Sequence, residues 1–278
     1  MAGHSDLPAG GSRLRLLNDG VCPPEVNMAR DCALLEAFQR GEIPPTLRVY
    51  QWASPALTYG VNQQLPPRLV DACAALGIPL FRRPTGGKAV LHGHDLTVGL
   101  VFRYVALTPS PSATEGVGAH GRAPLQFPPR PLAGEGDTGG EGNAHTRPYP
   151  RQVYQYLAPA FIEAFAQVGI PAVQGRAPAP DPRSLDDGGD CFATPAIADI
   201  VHAETGVKLM GCALLVRGAS VLMQASIPLR LPDVPVERLF GHPHPTPLPI
   251  DPDALTDALY RTLTRVIQNP ANAINTAP

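Results

Sequence analysis

The sequence contains very little lysine, and its charge is close to balanced. Its 22 basic residues include only two lysines, Lys88 and Lys208, and 24 acidic residues bring the net charge to −2. A protein without a strong positive field does not gather polyanions, and no cluster of arginines resembles a surface that follows a phosphate backbone. The composition therefore predicts that nucleic acid is not a partner.

Long apolar runs are also missing. No stretch approaches the roughly 20 apolar residues that a membrane-spanning helix needs, and the first residues lack the charged start and apolar run of a secretory signal. We therefore expect no membrane association and a cytoplasmic location. The five cysteines are odd in number, far apart and without a C-x-x-C pair, so we expect reduced thiols and no metal site.

The sequence does contain alternating helix and strand patterns. Helical spacing of apolar residues marks three segments: 26–40, 151–168 and 251–268. Period-two alternation marks four others: 46–52, 55–61, 206–218 and 219–229. We expect the first two of these strands to pair around a tight turn, the last two to form a hairpin, and 81–102 to be a hairpin-like unit. The predicted fold is mixed α/β, with a largely antiparallel sheet flanked by helices.

One internal segment differs from its surroundings. Residues 108–150 contain eight prolines and eight glycines among 43 positions and few large apolar side chains. Such a segment cannot bury enough surface to offset the entropy lost on ordering, so we predict a disordered insertion. We expect one domain over 13–250 that this insertion interrupts, then a C-terminal helix over 251–268 and a frayed tail over 269–278.

The stretch RRPTGGKAVLH, residues 82–92, combines cations with a glycine turn. Glycines at a strand corner let backbone N–H groups approach a ligand, and such a nest can hold a carboxylate, a phosphate or a developing oxyanion. Because side chains alternate along a strand, only one of Arg82 and Arg83 should face the pocket. Taken alone, Lys88 is more often a solvated charge at a strand end, and His92 more often a satisfied core or surface histidine.

A cysteine and a lysine could meet as a nucleophile and its charged partner. Cys191 lies in a polar, glycine-containing loop, whereas Cys32 and Cys73 lie inside predicted helices as buried thiols usually do. Lys208 follows far enough along the chain to return beside Cys191, although a solvated lysine is equally compatible with its position. An ordinary thiol is only slightly ionised at neutral pH, and an adjacent ammonium would raise the thiolate fraction. We therefore take Cys191 and Lys208 as candidate catalytic residues.

Three stretches together resemble one family. RRPTGGKAVLHGHDLTVGLVF, CFATPAIADI and GVKLMGCALL are similar to the lipoate-protein ligase A superfamily, which is related to biotin protein ligases. Within it they look most like octanoyltransferases of lipoyl assembly that use a cysteine in a C-F-x-x-P motif. The resemblance runs from about residue 13 to residue 240. It implies a biotin/lipoate ligase-like catalytic domain with a sheet-lined acyl tunnel, a two-step acyl transfer and no cofactor.

The resemblance also implies roles for individual residues. Cys191 would take octanoate from acyl carrier protein as a thioester, and Lys208 would assist at the reacting carbonyl. A lysine of a lipoyl domain or of the glycine cleavage H protein would then attack that thioester. Backbone N–H groups at Gly86, Gly87 or Gly211 would stabilise the oxyanion. The remaining substrate-binding candidates belong to the same glycine corner: Arg83, Thr85, Lys88 and His92.

Two departures from the family pattern leave other functions open. Residues 211–214 read Gly-Cys-Ala-Leu where the family has Gly-Ser-Ala-Gln, and Gly93 stands where an acidic residue is common. One alternative is an ATP-dependent lipoate-protein ligase, in which Lys208 would steady an acyl-adenylate and Cys191 would be incidental. Another is a non-catalytic relative that binds lipoyl domains or acyl carrier protein. Cys212 is a second, weaker candidate for the nucleophile.

Overall fold

The computed structural model describes residues 13–104, 150–175, 189–196 and 198–268. The predicted insertion lies outside these residues except for its last position, and the predicted C-terminal tail lies outside them entirely. Within the described residues the chain forms ten strands and five helices: β1 (Arg15–Cys22), α1 (Pro24–Gln39), β2 (Thr46–Trp52), β3 (Ala56–Tyr59), α2 (Pro67–Ala75), β4 (Leu80–Arg82), β5 (Val90–His92), β6 (Asp95–Arg103), α3 (Pro150–Gln167), β7 (Ala172–Gln174), β8 (Ile200–His202), β9 (Lys208–Arg217), β10 (Ser220–Pro228), α4 (Val236–Phe240) and α5 (Pro252–Gln268).

The strands form two sheets. Seven pair in the order β1-β2-β6-β10-β9-β8-β7, and three pair in the order β4-β3-β5. In the large sheet only the pair β1 and β2 is parallel among the described strands. The predicted mixed α/β fold with a largely antiparallel sheet is confirmed.

The elements with the strongest local signals lie where the sequence predicts them. Helix α3 buries Val153, Leu157 and Phe161 at helical spacing, and α5 begins after Asp251, whose carboxylate accepts hydrogen bonds from the first backbone N–H groups of the helix. Strands β9 and β10 form the expected hairpin, and Gly218 has the left-handed φ of +59° that suits its two-residue turn. No helix within the described ranges is long and apolar enough to cross a bilayer.

Two of the predicted strand pairings are wrong. Segments 46–52 and 55–61 do not pair, because β2 belongs to the large sheet and β3 to the small one. Segment 81–102 is not a hairpin either, since β5 pairs with β3 whereas β6 pairs with β2 and β10. Strands β2 and β6 are buried along nearly their whole length, so each needs neighbours from distant parts of the chain. Period-two alternation indicates which face is buried but not which strand lies alongside.

The large sheet separates two environments. One face packs against α3 and α5 and forms the main core, which includes Leu100, Phe161 and Leu259. The other face meets α1 and the small sheet. The small sheet is covered on its far side by α2 and α4, through a second core that includes Leu57 and Leu91. The space between the two sheets is therefore enclosed on both sides by packed layers.

A buried cluster of charges holds α1 against the large sheet. The Arg48 guanidinium is fully buried and pairs with Asp31 at 2.8 Å and with Asp19 at 2.6 Å. Asp31 also accepts hydrogen bonds from the Tyr50 hydroxyl at 2.9 Å and from Gln224 Nε2 at 2.7 Å. Because a buried charge is tolerated only with such partners, Asp31 fixes the position of α1.

Replacing Asp31 by alanine should lower the free energy of unfolding by about 3 kcal/mol, since a buried ion pair that loses one partner leaves the other charge poorly compensated. Urea denaturation measures this change. Glu42→Ala is the control, because it removes an exposed ion pair with Arg40 and should barely move the unfolding curve. Equal unfolding midpoints for the two variants would contradict the role given to Asp31.

Candidate active site

A cavity lined by residues of both sheets lies between them. Its wall combines apolar side chains with a few polar ones from both sheets and from α1. Five of the predicted site residues line it: Arg83, Gly87, His92, Cys191 and Gly211.

The structure brings Lys208 to Cys191 at the edge of this cavity. Lys208 Nζ donates to the Cys191 carbonyl oxygen at 2.7 Å and to Cys191 Sγ at 3.4 Å. It also pairs with Asp199 Oδ2 at 2.8 Å. An ammonium has three N–H donors, so each of them has an acceptor here. The lysine is buried and is not the solvated charge that composition alone leaves open.

Asp199 belongs to this group and is absent from the predicted site. Besides pairing with Lys208, its Oδ2 accepts a hydrogen bond from the Ala196 N–H at 2.6 Å. A signal for it was present in the sequence, because it is the one charged residue in the apolar run AIADIV. A carboxylate in such a run is seldom buried without a cationic partner.

Burial controls the ionisation of the thiol and the amine. Desolvation raises the pKa of Cys191, and the ammonium of Lys208 only partly opposes this effect. Burial by itself would lower the pKa of Lys208, but Cys191 and Asp199 outweigh it and raise that pKa above its ordinary value. The amine is therefore protonated at neutral pH, and the thiol is less ionised than an adjacent ammonium alone would make it.

Backbone hydrogen bonds fix the loop that carries Cys191 to the glycine corner. The Ala89 N–H donates to the Gly189 carbonyl at 2.9 Å, and the Cys191 N–H donates to the Ala89 carbonyl at 2.8 Å. Gln63 Nε2 also donates to the Gly189 carbonyl, at 2.9 Å. Two motifs about a hundred residues apart in the sequence therefore form one rigid unit.

Arg83 faces the cavity while Arg82 is exposed, as strand alternation predicts. The Arg83 guanidinium donates to Thr58 Oγ1 at 3.0 Å and to the carbonyls of Gly86 and Lys88 at 2.9 and 2.6 Å. Burial lowers its pKa to about 10. Within the described residues no carboxylate forms an ion pair with it, so its charge is available to an anionic group in the cavity.

His92 is a buried wall residue whose two ring nitrogens both have partners. Its ring stacks on Trp52 with 4.1 Å between centroids, and Nδ1 lies 2.8 Å from Asp95 Oδ2. Nε2 lies 2.9 Å from Thr58 Oγ1, which also accepts a hydrogen bond from Arg83.

The other predicted residues of the glycine corner lie behind the residues that line the cavity. Of the described residues that line the cavity, none is Thr85, Gly86 or Lys88. The Thr85 hydroxyl donates to Gln224 Oε1 at 2.9 Å. Lys88 is 5% exposed, so its interpretation as a solvated charge at a strand end is wrong. A substrate-binding role for these three residues stays a prediction.

Gly211 allows β9 to approach the thiol and the amine. A Cβ atom at this position would lie 3.3 Å from Cys191 Sγ and 3.0 Å from Lys208 Cε. The next residue, Cys212, borders the cavity, but its side chain packs against the main core and its Sγ donates to the Ala198 carbonyl at 3.2 Å. Cys191 is therefore the thiol that lies beside the ammonium.

The described residues contain no group of three or more His, Cys, Asp or Glu side chains arranged to hold a metal ion. The cations that face or border the cavity, Arg83 and Lys208, suit an anionic or electron-rich carbonyl group. The arrangement can therefore support attack by a thiol on a carbonyl whose oxygen gains negative charge.

Comparison with known proteins identifies relatives of this chain. Residues 23–109 match the family described as lipoyl protein ligase A/B catalytic domain. The octanoyltransferase LipM of Lysinibacillus sphaericus is 45% identical over 86 residues, which is 31% of each chain. The octanoyltransferase LipM of Symbiobacterium thermophilum is 29% identical over 243 residues, 82% of this chain and 73% of that protein. The first alignment thus spans less than a third of its relative's length.

Solved structures share the fold. A protein of T. acidophilum with bound lipoic acid has a TM-score of 0.57 at 19% identity, covering 92% of this chain and 85% of its own. Lipoate-protein ligase A bound with ATP has a TM-score of 0.56 at 20% identity, with the same coverage. The two-sheet architecture is therefore that of lipoate ligase catalytic domains. In sequence and in fold, the chain is thus similar to the lipoyl protein ligase A/B proteins.

The titration of Cys191 can be measured by alkylation. Its rate of reaction with iodoacetamide should still rise with pH beyond about 8.5, where an ordinary thiol titrates, because burial raises its pKa. Lys208→Met should move the midpoint to higher pH, since the ammonium lowers the thiol pKa. Cys22 in the same molecule is the internal control and should be unchanged. A lower or equal midpoint in the variant would contradict the pairing.

Gly211→Ala should crowd Cys191 Sγ and the Lys208 side chain, displace the thiol from the ammonium and reduce the alkylation rate of Cys191 about tenfold, while the protein stays folded. Peptide mass spectrometry measures the rate, and thermal unfolding checks the fold. Cys212→Ala, one residue along the strand with its side chain against the core, is the control. Equal rates in the two variants would show that the glycine is not needed for the close approach.

Proposed function

We propose that the protein is an octanoyltransferase that carries the acyl chain as a thioester on Cys191. The observation that supports this most directly is the contact of the Cys191 thiol with a buried, protonated Lys208 at the edge of a largely apolar cavity. Similarity to the octanoyltransferases named LipM supports the same reaction.

The first step transfers the acyl group to the protein. Cys191 Sγ attacks the thioester carbonyl of octanoyl acyl carrier protein, a new carbon–sulfur bond forms and the old one breaks. The proton of the Cys191 thiol leaves with the carrier's thiol. The Lys208 ammonium stabilises the attacking sulfur as it loses that proton, and Arg83 and Lys208 favour the negative charge on the carbonyl oxygen.

The second step transfers the acyl group to an amine. A lysine of a lipoyl-accepting protein, such as a lipoyl domain or the glycine cleavage H protein, attacks the Cys191 thioester as a neutral amine. An amide bond forms, the Cys191 sulfur leaves, and a proton of the amine returns to it. The thioester keeps the carbonyl reactive between the steps, so no nucleotide is needed for activation.

The cavity accounts for recognition of the acyl chain. Enclosing the seven methylene and methyl groups of an octanoyl chain contributes about 5 kcal/mol, at about 0.8 kcal/mol per group. This is enough to bind the chain, but it discriminates only modestly between neighbouring lengths. Selectivity for length must therefore come from where the cavity ends.

An ATP-dependent ligase is the second candidate, because the fold is shared with a ligase structure that contains ATP. In that reaction Lys208 would contact an acyl-adenylate, and the thiol of Cys191 would have no covalent role. The position of Lys208 against Cys191 Sγ favours the transferase over this alternative.

Incubation with octanoyl acyl carrier protein without ATP should add one octanoyl group to Cys191, as detected by intact-protein and peptide mass spectrometry. Cys191→Ala should abolish the adduct, and Lys208→Met should slow its formation about 10²-fold through loss of a charged donor. Cys212→Ala should load normally. Pyrophosphate release that depends on ATP, with no adduct on Cys191, would establish the ligase instead.

A further inference from the structure

One row of residues crosses the large sheet beneath the cavity. The strand register places Gly211 opposite Ser226, Ser226 opposite Thr97, and Thr97 opposite Tyr50. Directly opposed residues of adjacent antiparallel strands point to the same face, so these four lie in a line on the cavity side. All four line the cavity.

The row on one side of this line is covered. Ala213, Gln224 and Gly99 are opposite one another in the register. Gln224 is hydrogen-bonded to Thr85 at 2.9 Å and to Asp31 at 2.7 Å, and a Cβ at Gly99 would lie 2.7 Å from Asp31 Oδ1. The glycine corner and α1 therefore limit the cavity on this side, where Ala213 and Gln224 form part of its wall.

On the other side of the central line, the neighbouring row of residues is covered by His92. His92 stacks on Trp52 and binds Asp95, each of which lies two residues along its strand from the central line. The hydroxyls of Ser226 and Thr97 donate to Asp95 Oδ2 at 2.7 and 2.9 Å, so both lean away from the cavity. The central line is thus the open path for a chain attached to Cys191.

The length of this path matches an octanoyl chain. A Cβ at Gly211 would lie 3.3 Å from Cys191 Sγ, so the path begins at the thiol. With strands about 4.8 Å apart, Thr97 lies about 10 Å and Tyr50 about 14 Å from Gly211. An extended chain advances about 1.2 Å per bond, so the eight bonds from Cys191 Sγ to the terminal methyl of an octanoyl thioester span about 10 Å. The terminal methyl would reach Thr97 and stop short of Tyr50.

The far end is closed by two fixed rings and one adaptable side chain. Tyr50 is held by Asp31, and Trp52 donates to Thr97 Oγ1 at 2.8 Å. Met28 of α1 lines the cavity and packs against the cluster formed by Tyr50, Trp52 and Ala56, and its unbranched thioether can change shape without breaking a hydrogen bond. We propose that Met28 is the residue that sets the chain-length limit of the acyl pocket near eight carbons. This inference rests on the proposed transferase function.

The test compares loading of Cys191 by acyl carrier protein that carries chains of six, eight, ten or twelve carbons. Met28→Ala should raise the rate with ten and twelve carbons relative to eight about tenfold, because each added methylene that finds room is worth about fourfold. Met28→Phe should have the opposite effect and favour six carbons over eight.

Val26→Ala is the matched control, because Val26 is half-buried on the same helix and does not line the cavity. It should leave the preference for chain length unchanged. Unchanged preferences in both Met28 variants, with normal loading by octanoyl, would overturn the role of Met28 and leave the transferase intact. No loading of the unmodified protein by any chain length would instead overturn the proposed function, and the inference with it.

Discussion

The buried ammonium of Lys208 is the interaction on which the site depends. A cation removed from water must be compensated, and here one carboxylate, one carbonyl and one sulfur share its three protons. The sharing affects the thiol in two ways, because Lys208 lowers the pKa of Cys191 whereas Asp199 and burial raise it. Asp199 keeps the amine charged without requiring the thiol to be a thiolate. The sulfur is thus held beside a permanent positive charge, which in the proposed reaction would help it lose its proton.

At some glycines around the site the backbone packs so closely against its neighbours that a Cβ atom would clash. A Cβ at Gly60 would lie 2.2 Å from the Gly87 carbonyl oxygen, so the end of β3 and the glycine corner are in direct contact. Ala89 joins that corner to the cysteine loop by two hydrogen bonds. The glycines of the motif therefore contribute to the assembly of the site as well as to the binding of any ligand. They let the glycine corner, the cysteine loop and β9 approach within a few ångströms of one another.

Local sequence patterns predicted several helices and one hairpin, whereas most strand partners and the contacts within the site became visible only in the folded structure. The helices α3 and α5 and the hairpin at Gly218 depend on neighbouring residues, so periodicity and turn chemistry were sufficient. The partners of β2 and β5 depend on burial of both faces of a sheet, which alternation does not encode. The meeting of Cys191 with Lys208 could be inferred from residue type and family resemblance. Asp199 was missed because its signal, a single charge in an apolar run, indicates that a cationic partner exists but not which residue it is.

Helix α1 carries both a residue that stabilises the fold and the residue proposed to set the chain-length limit. Asp31 and Met28 are three residues apart on α1 and therefore lie on the same face, the first bound to Arg48 and the second lining the cavity. The ion pair that holds α1 on the sheet consequently also positions Met28 in the cavity wall. Gln224 extends the same constraint to the glycine corner, since it connects Asp31 with Thr85. A charge cluster buried within the fold thus positions two parts of the cavity wall, Gln224 of β10 and the helix that carries Met28.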